Sequence, residues 1–179
     1  MCIRDSAAAM AREAYDKVIE SPLEEVDLEA EGLGQGTIDA IIAADVLEHM
    51  VNPWAALLRL RPLLAPGGML YVSLPNVRNL SVLAGLAGGS WKYQGAGILD
   101  VTHLRFFTRT QALEMLEETG WTLDHIRFNL DPQLQAAIQG QRLEDITSLN
   151  IGNMHLQDLT HMDVVELMAL QFFLRARPA

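Results

Sequence analysis

The stretch Asp39-Ala-Ile-Ile-Ala-Ala-Asp-Val-Leu-Glu-His49 decides how this sequence can fold. The apolar run over residues 37–44 predicts a β-strand buried on both faces, as in a parallel sheet covered by helices. The polar residues Asp45, Glu48 and His49 come where that strand ends. Ligands of open α/β sheets bind at this end of the strands, so the stretch predicts one half of a ligand site.

A second strand and a connecting helix come next. Asn52-Pro53 begins a helix, with proline at its first turn, and Pro66-Gly67-Gly68 ends it. Residues 69–74 are apolar except for Ser73 and predict the next buried strand, after which comes Asn76. A strand, a helix and a strand joined by short connections form a βαβ unit, which predicts a doubly wound α/β sheet.

The remaining pattern adds helices and two late strands. Apolar spacing predicts helices over residues 7–19 and 79–86 and another that begins at Thr108, where Gln111 completes a capping box. Alternation at Trp121–Leu130 predicts a strand, and the apolar, Phe-rich residues 164–174 predict the last one. Residues 131–163 are polar with weak patterning, so we expect a variable insertion there.

Composition limits the classes of function. The chain has 179 residues, of which 50% are hydrophobic, and a net charge of −10, which argues against a nucleic-acid partner. Its longest apolar runs are too short to cross a membrane. The only cysteine is Cys2, so the sequence lacks a cysteine pair and fits the reducing cytoplasm.

The first six residues differ in character from the rest of the chain. Met1-Cys-Ile-Arg-Asp-Ser6 does not lead into the apolar segment of a signal peptide. It is similar to a foreign leader, such as translated adapter sequence. We therefore expect residues 1–6 to be a non-native leader and residues 7–179 to be the domain.

Several motifs together resemble one enzyme family. They are Asp45-Val-Leu-Glu-His49, Leu64-Ala-Pro-Gly-Gly68, Ser73-Leu-Pro-Asn76 and Gly97-Ile-Leu-Asp-Val-Thr-His-Leu-Arg-Phe-Phe107, in that order. This series resembles the class I S-adenosylmethionine-dependent methyltransferases, and is most similar to the branch of ubiquinone-type O-methyltransferases. The resemblance implies a Rossmann-like, mostly parallel sheet with a C-terminal antiparallel strand pair. It also implies S-adenosylmethionine as cofactor and methyl transfer, most simply O-methylation, to a small-molecule acceptor.

The resemblance also implies parts that the sequence lacks. The family has a glycine-rich turn after its first strand and an acidic residue at the end of its second, and neither is present. Gly32-Leu-Gly-Gln-Gly36 is not that turn, because it comes after an acidic loop and precedes a strand, whereas a cofactor turn comes after a strand and opens a helix. We therefore expect a partial methyltransferase domain that lacks the first strand or strands.

The residues after the first predicted strand are the candidates for cofactor binding and catalysis. The resemblance implies that Ala44, Asp45 and Val46 border the methionine part of the cofactor. His49 or Glu48 could then orient the acceptor or accept its proton. The alternative is that both residues only stabilise the start of the next helix. Their spacing lacks a firm ligand pattern, so no metal site is predicted.

Residues farther along are the candidates for acceptor binding. Asn76 could face the acceptor pocket, or could equally satisfy a turn. His103 and Arg105 lie with Asp100 after the glycine-rich residues 85–97 and close to several aromatic residues, which suggests a lid over the substrate. The alternative is a salt-bridged surface turn.

Two other functions compete with methyl transfer. A non-catalytic fragment or degenerate domain could act through protein contacts, as the missing glycine-rich turn suggests. A nicotinamide-dependent reductase would use a Tyr-x-x-x-Lys motif, which the sequence lacks. The acceptor and the oligomeric state are not predicted.

Overall fold

A computed structural model describes residues 3–138, 140–152 and 154–179. The described residues form two units, one up to residue 34 and one from residue 35 onward. The first unit contains helix α1 (Ile3–Ala14), where the sequence predicts a helix over residues 7–19. After this helix, Lys17 forms an ion pair of 2.7 Å with Glu31 of the acidic loop. Met1 and Cys2 of the predicted leader lie outside the described residues.

The second unit is built on a four-stranded sheet. Its strands are β1 (Ile38–Ala44), β2 (Leu64–Pro75), β3 (Trp121–Leu130) and β6 (Ala169–Pro178), in the order β1-β2-β6-β3. β1 and β2 are parallel, whereas β6 runs antiparallel to both β2 and β3. The α/β fold and the late antiparallel pair are confirmed. The expectation of a mostly parallel sheet is wrong for the described strands, since two of their three pairings are antiparallel.

The predicted βαβ unit forms, but the prediction that Pro66-Gly67-Gly68 ends the helix is wrong, because these residues lie within β2. Helix α2 (Pro53–Leu60) begins where the Asn52 side chain accepts a hydrogen bond from the Ala55 amide at 3.1 Å. A short 3₁₀ turn at Arg61–Leu63 then leads directly into β2. In register, Ala44 lies beside Ser73, so both strands end at the same edge of the sheet.

One face of the sheet is exposed, contrary to expectation. Ala43 is the only buried residue of β1, while Ile42 keeps 73% of its surface exposed. Tyr71 and Phe173 are also exposed and line a groove of about 490 Å³ with Ile42. An apolar run predicts that both faces of a strand are buried, but it does not identify the segment that packs on each face. Within the described residues, β1 pairs only with β2.

Three helices frame the later part of the chain. Helix α3 (Leu80–Ala87) is capped by Asn79, and helix α4 (Arg109–Glu118) by Thr108, as the sequence predicts. The prediction of one strand over residues 164–174 is wrong in its first half. Helix α6 (His161–Met168) occupies that part because Thr160 and Asp163 form a capping box that starts a helix.

The segment expected to be a variable insertion has regular structure. It contains α5 (Pro132–Ala137) and a hairpin of β4 (Leu149–Ile151) and β5 (Met154–Leu156). Ile146 packs with Val164 and Met168 of α6 in a small buried cluster. This cluster packs the segment against α6. Among the described residues, we find no helix with the length and apolarity needed to cross a membrane.

Candidate active site

A cavity of about 360 Å³ lies where β1 and β2 end. Asp45, Glu48 and His49 line it from the β1 side. The loop before α4 supplies Asp100 and His103, and β6 supplies Gln171. Three separate parts of the chain therefore meet at the sheet edge where the sequence predicts a site.

Asp45 turns the chain sharply at the end of β1. Its φ of 51° lies in the left-handed region, which aspartate tolerates better than most residues. Its amide donates to the Ser73 hydroxyl at 2.9 Å, and the same hydroxyl donates to the Asp45 carboxylate at 2.8 Å. Gln171 donates to that carboxylate from β6. These contacts hold a negative charge in a fixed position on the cavity rim.

Glu48 is a buried acid without a side-chain partner. Its exposure is 1%, and neither carboxylate oxygen has a hydrogen-bond partner among the described residues. Burial is the main cause that raises the pKa of Glu48 above its ordinary value, and the nearby charge of Asp45 adds to this. The backbone amide of Glu48 itself is the strongest opposing cause, and His49 and His103 also oppose the rise. The backbone carbonyl of Glu48 accepts from the amides of Leu104 and Arg105 at 2.8 and 3.0 Å. The loop before α4 is thus fastened directly to this residue.

His49 and His103 both line the cavity, and their rings contact each other. Their ring centroids are 4.8 Å apart in an edge-to-face arrangement. Nδ1 of His49 lies 3.2 Å from the carbonyl oxygen of Thr102, and Nδ1 of His103 lies 3.0 Å from that of Ile98. A carbonyl can only accept a hydrogen bond, so each Nδ1 carries the proton and each Nε2 keeps a lone pair when the ring is neutral.

Glu48, His49 and His103 form one cluster. One ligand-type atom from each residue lies within 4.8 Å of those of the other two. The sequence indicated these residues for two separate purposes, catalysis for Glu48 and His49 and acceptor binding for His103. The structure shows that the chain between positions 49 and 103 folds back and brings all three together.

The loop that carries His103 is ordered by local contacts. Asp100 accepts hydrogen bonds from the hydroxyl and amide of Thr102, which lowers the pKa of Asp100. Phe106 packs edge-to-face on Trp91 of the glycine-rich segment, with centroids 5.3 Å apart. The residues expected to form a lid thus sit in a turn closed by hydrogen bonds and anchored by aromatic contacts.

Two residues expected to bind the acceptor lie elsewhere. Asn76 is fully buried, and its amide donates to the carbonyls of Glu166 and Ala169 at 2.6 and 2.9 Å, so it satisfies backbone groups and does not line the cavity. Arg105 donates to the Val51 carbonyl and lines a different cleft. Asn76 and Arg105 therefore lie outside the lining of this cavity, and their part in acceptor binding stays a prediction.

The expected cofactor residues divide between two surfaces. Asp45 lines the cavity, whereas Ala44 lines the groove on the exposed sheet face, and Val46 is exposed at 42%. Sequence reasoning missed Gln171, which lies in an apolar strand. It reaches the cavity because β6 pairs with β2 in a register that sets Gln171 opposite Pro75, and that register cannot be read from the sequence.

The fold is shared with solved structures of methyltransferases and of a [4+2]-cyclase. One from Thermotoga maritima, described as a possible histamine N-methyltransferase, is 12% identical with a TM-score of 0.59, over 98% of this chain and 70% of that one. A putative methyltransferase from Bacillus halodurans is 14% identical with a TM-score of 0.56, over 99% and 79%. The [4+2]-cyclase SpnF is 18% identical with a TM-score of 0.53, over 97% and 62%. At these identities the likeness concerns the fold alone.

A family match covers more than half of the sequence. The chain belongs to the methyltransferase-domain family, whose model matches residues 2–126. It is accordingly an enzyme of the methyltransferase class, with S-adenosylmethionine as cofactor. No curated protein sequence matches the chain.

The described residues fit part of this cofactor. S-adenosylmethionine carries positive charge on its sulfonium and amino groups, and the fixed Asp45 carboxylate and the unpartnered Glu48 carboxylate complement such charge at the cavity. The described part of the chain shows no glycine-rich turn between a strand and a helix. The fit is therefore to the methionine side of the cofactor.

Proposed function

We propose that this protein transfers the methyl group of S-adenosylmethionine to a hydroxyl oxygen of a small molecule, in the manner of the ubiquinone-type O-methyltransferases. The observation that carries the proposal is the cluster of Glu48, His49 and His103 in a cavity at the ends of β1 and β2. A hydroxyl must lose its proton as it is methylated, and this cavity offers both a carboxylate and imidazole lone pairs.

The chemistry asks the protein mainly to align two reactants. The cofactor supplies a methyl group already activated on a sulfonium. Asp45 fixes the side of the cavity that faces the methionine part, through its bonds to Ser73 and Gln171. His49 and His103 line the same cavity and supply imidazole lone pairs for the acceptor. Holding the acceptor in line with the methyl group lowers the entropic part of the barrier.

The size and charge of the cavity support a small acceptor. A volume of about 360 Å³ is at the lower end of the range for small-molecule pockets. The chain carries a net charge of −10, which disfavours a nucleic-acid substrate. We propose a small molecule as the partner. We also propose the cytoplasm as the location, because the sequence lacks a cysteine pair.

The adenosine side of the site is the remaining part of the proposal. The free edge of β1 and the exposed Ile42 on the adjacent face are apolar surfaces that sheet proteins normally cover. We propose that a further strand pairs with this edge in the working enzyme and carries the glycine-rich turn. Residues 7–179 would then be a partial methyltransferase domain, because they lack this strand and its turn.

Calorimetric titration of S-adenosylmethionine into the 179-residue chain tests the cofactor half of the proposal. Micromolar binding that is weakened at least tenfold by Asp45→Asn, but not by Asp39→Asn, which removes an exposed charge at the other end of β1, is the expected result. Millimolar or undetectable binding would favour the alternative, a non-catalytic domain that acts through protein contacts.

Transfer of labelled methyl from S-adenosylmethionine to small phenols and amines tests the reaction half. We expect product from phenols, with His49→Gln slower by about 10²-fold or more, the usual contribution of a general base. The control His161→Gln changes an exposed histidine on α6 and should leave the rate unchanged. Transfer to amines alone would refute O-methylation and leave methyl transfer intact.

A further inference from the structure

The late strands β3 and β6 supply a part of the cavity wall that the proposed chemistry leaves unused. Asn129 of β3 and Leu170 and Gln171 of β6 line the cavity there. We propose that this wall selects the acceptor, and that the amides of Asn129 and Gln171 bind an uncharged, amide-like hydrogen-bonding group carried on its ring. The role of that group in an acceptor rests on the proposed function, whereas its binding does not.

An irregularity in the sheet builds this wall. In the described pairing of β3 with β6, Asn129 lies opposite Gln171 and Leu130 lies opposite Ala169, so Leu170 has no counterpart on β3. Successive side chains of a regular strand point to opposite faces, yet Leu170 and Gln171 both line the cavity. Bulges of this kind recur beside active sites, where they redirect a side chain toward the ligand.

The two amides lie close enough to bind one group together. Residues directly opposite each other on antiparallel strands have Cβ atoms about 5 Å apart, which applies to Asn129 and Gln171. Gln171 uses its amide nitrogen to donate to Asp45, and its carbonyl oxygen can accept from a ligand. Asn129 is exposed and can both donate and accept. A carboxamide offers the complementary donor and acceptor.

The charge of the cavity excludes an anion from this position. Asp45, Glu48 and Asp100 are its acidic side chains among the described residues. Asp100 accepts two hydrogen bonds from Thr102, which lower its pKa, so Asp100 stays ionised at neutral pH. Arg127 lies two residues before Asn129 on β3, but it lines the groove on the sheet face and does not line the cavity. A carboxylate bound at Asn129 would therefore be repelled without a cation to offset the repulsion.

The remaining surface of the wall suits a ring. Pro75, Ile98 and Leu170 are apolar and line the same cavity as the two amides. Small-molecule sites combine such apolar surface with a few polar groups that fix the orientation of the ligand. The acceptor class that fits is an uncharged phenol with a carboxamide or similar substituent, and a phenolic acid does not fit.

Binding measurements test the wall without any methyl transfer. Calorimetric titrations of the 179-residue chain compare three ligands: phenol, the hydroxybenzamides and the hydroxybenzoates, the last two as their 3- and 4-hydroxy isomers. We expect one hydroxybenzamide to bind at least tenfold more tightly than phenol, because it gains the contacts to the amides. We also expect it to bind at least tenfold more tightly than the matching hydroxybenzoate, because of the repulsion.

Two variants of Asn129 separate the hydrogen bonds from the charge. Asn129→Leu should reduce hydroxybenzamide binding to the level of phenol, and Asn129→Lys should reverse the preference, so that the hydroxybenzoate binds more tightly than the hydroxybenzamide. Thr122→Leu and Thr122→Lys are the matched controls, since Thr122 is an exposed residue at the other end of β3. Both controls should keep the preferences of the wild type.

Three results would overturn the inference: no measurable binding of any hydroxybenzamide, equal binding of the amide and the acid by the wild type, or an unchanged preference in Asn129→Leu. Labelled methyl transfer to the same ligands distinguishes the two proposals. Methylation of all three ligand types with equal kcat/KM would remove this inference and leave O-methylation intact. Selective hydroxybenzamide binding that depends on Asn129, without methylation, would support the wall and remove the proposed function.

Discussion

Asn76→Ala should destabilise the fold strongly, because Asn76 joins β2 to the segment where α6 passes into β6. Its side-chain amide donates to the Glu166 and Ala169 carbonyls at 2.6 and 2.9 Å. Its side-chain oxygen accepts from the Arg78 amide at 2.9 Å. Alanine removes all three hydrogen bonds at a fully buried position.

The size of the effect depends on the hydrogen bonds that each partner keeps. The Ala169 carbonyl still accepts from Asn79 at 3.0 Å, and the Glu166 carbonyl still accepts from the Ala169 amide, so neither is left without a partner. The loss is then about 1 kcal/mol for each hydrogen bond, or about 3 kcal/mol in all. For a chain of this size that corresponds to a fall of about 6–12 °C in melting temperature.

Urea unfolding followed by tryptophan fluorescence measures this loss. The control is Asn129→Ala, which truncates an exposed asparagine on β3 and should change the free energy of unfolding by less than about 0.5 kcal/mol. Calorimetric titration of S-adenosylmethionine into both folded variants completes the test. If Asn76→Ala cost less than about 1 kcal/mol and yet abolished ligand binding, the structural role of Asn76 would be refuted.

Three further changes test other parts of the structure. Thr160→Ala removes half of the capping box of α6 and should cost about 1 kcal/mol in urea unfolding; no loss would show that the box does not hold the helix end. Thr160 and Arg78 lower the pKa of Asp163 to about 2 from 3.8, so the stabilisation is complete above pH 4 and disappears as the pH falls through 2. Asp163→Asn should therefore cost about 1 kcal/mol at pH 6, after allowance for solvent screening, and almost nothing at pH 2, whereas a cost independent of pH would contradict the ion pair. Ile42→Lys, on the exposed sheet face, should reduce concentration-dependent self-association seen by light scattering, and Val101→Lys, an equally exposed apolar residue away from the sheet, should not.

Local signals in the sequence predicted the elements that depend on local chemistry. Asn52 with Pro53 marked the start of α2, and the alternation at Trp121–Leu130 gave β3 with its observed bounds. The strand that ends before Asp45 also located the cavity. Each of these depends on residues within one turn or one strand, and so each could be predicted from a short window.

The sequence decides less where two interpretations share the same local pattern. Asn76 comes after a strand whether it faces a ligand or a turn, and its actual partners lie 90 and 93 residues farther along the chain. The strand predicted at residues 164–174 had a visible warning, since Thr160 and Asp163 have the spacing of a capping box. The cluster at Glu48 could not be predicted, because nothing in the sequence says that the loop at residue 103 returns to that strand end.

The position of β6 between β2 and β3 determines when the active site can assemble. This strand is synthesised after both of its neighbours, forms the bridge between them, and brings Gln171 to Asp45. Until it emerges from the ribosome, β2 and β3 have no neighbour to join them, and the cavity lacks one wall. The active site is therefore completed late in translation. A product terminated before β6 would contain Glu48 and both histidines but would lack one wall of the cavity.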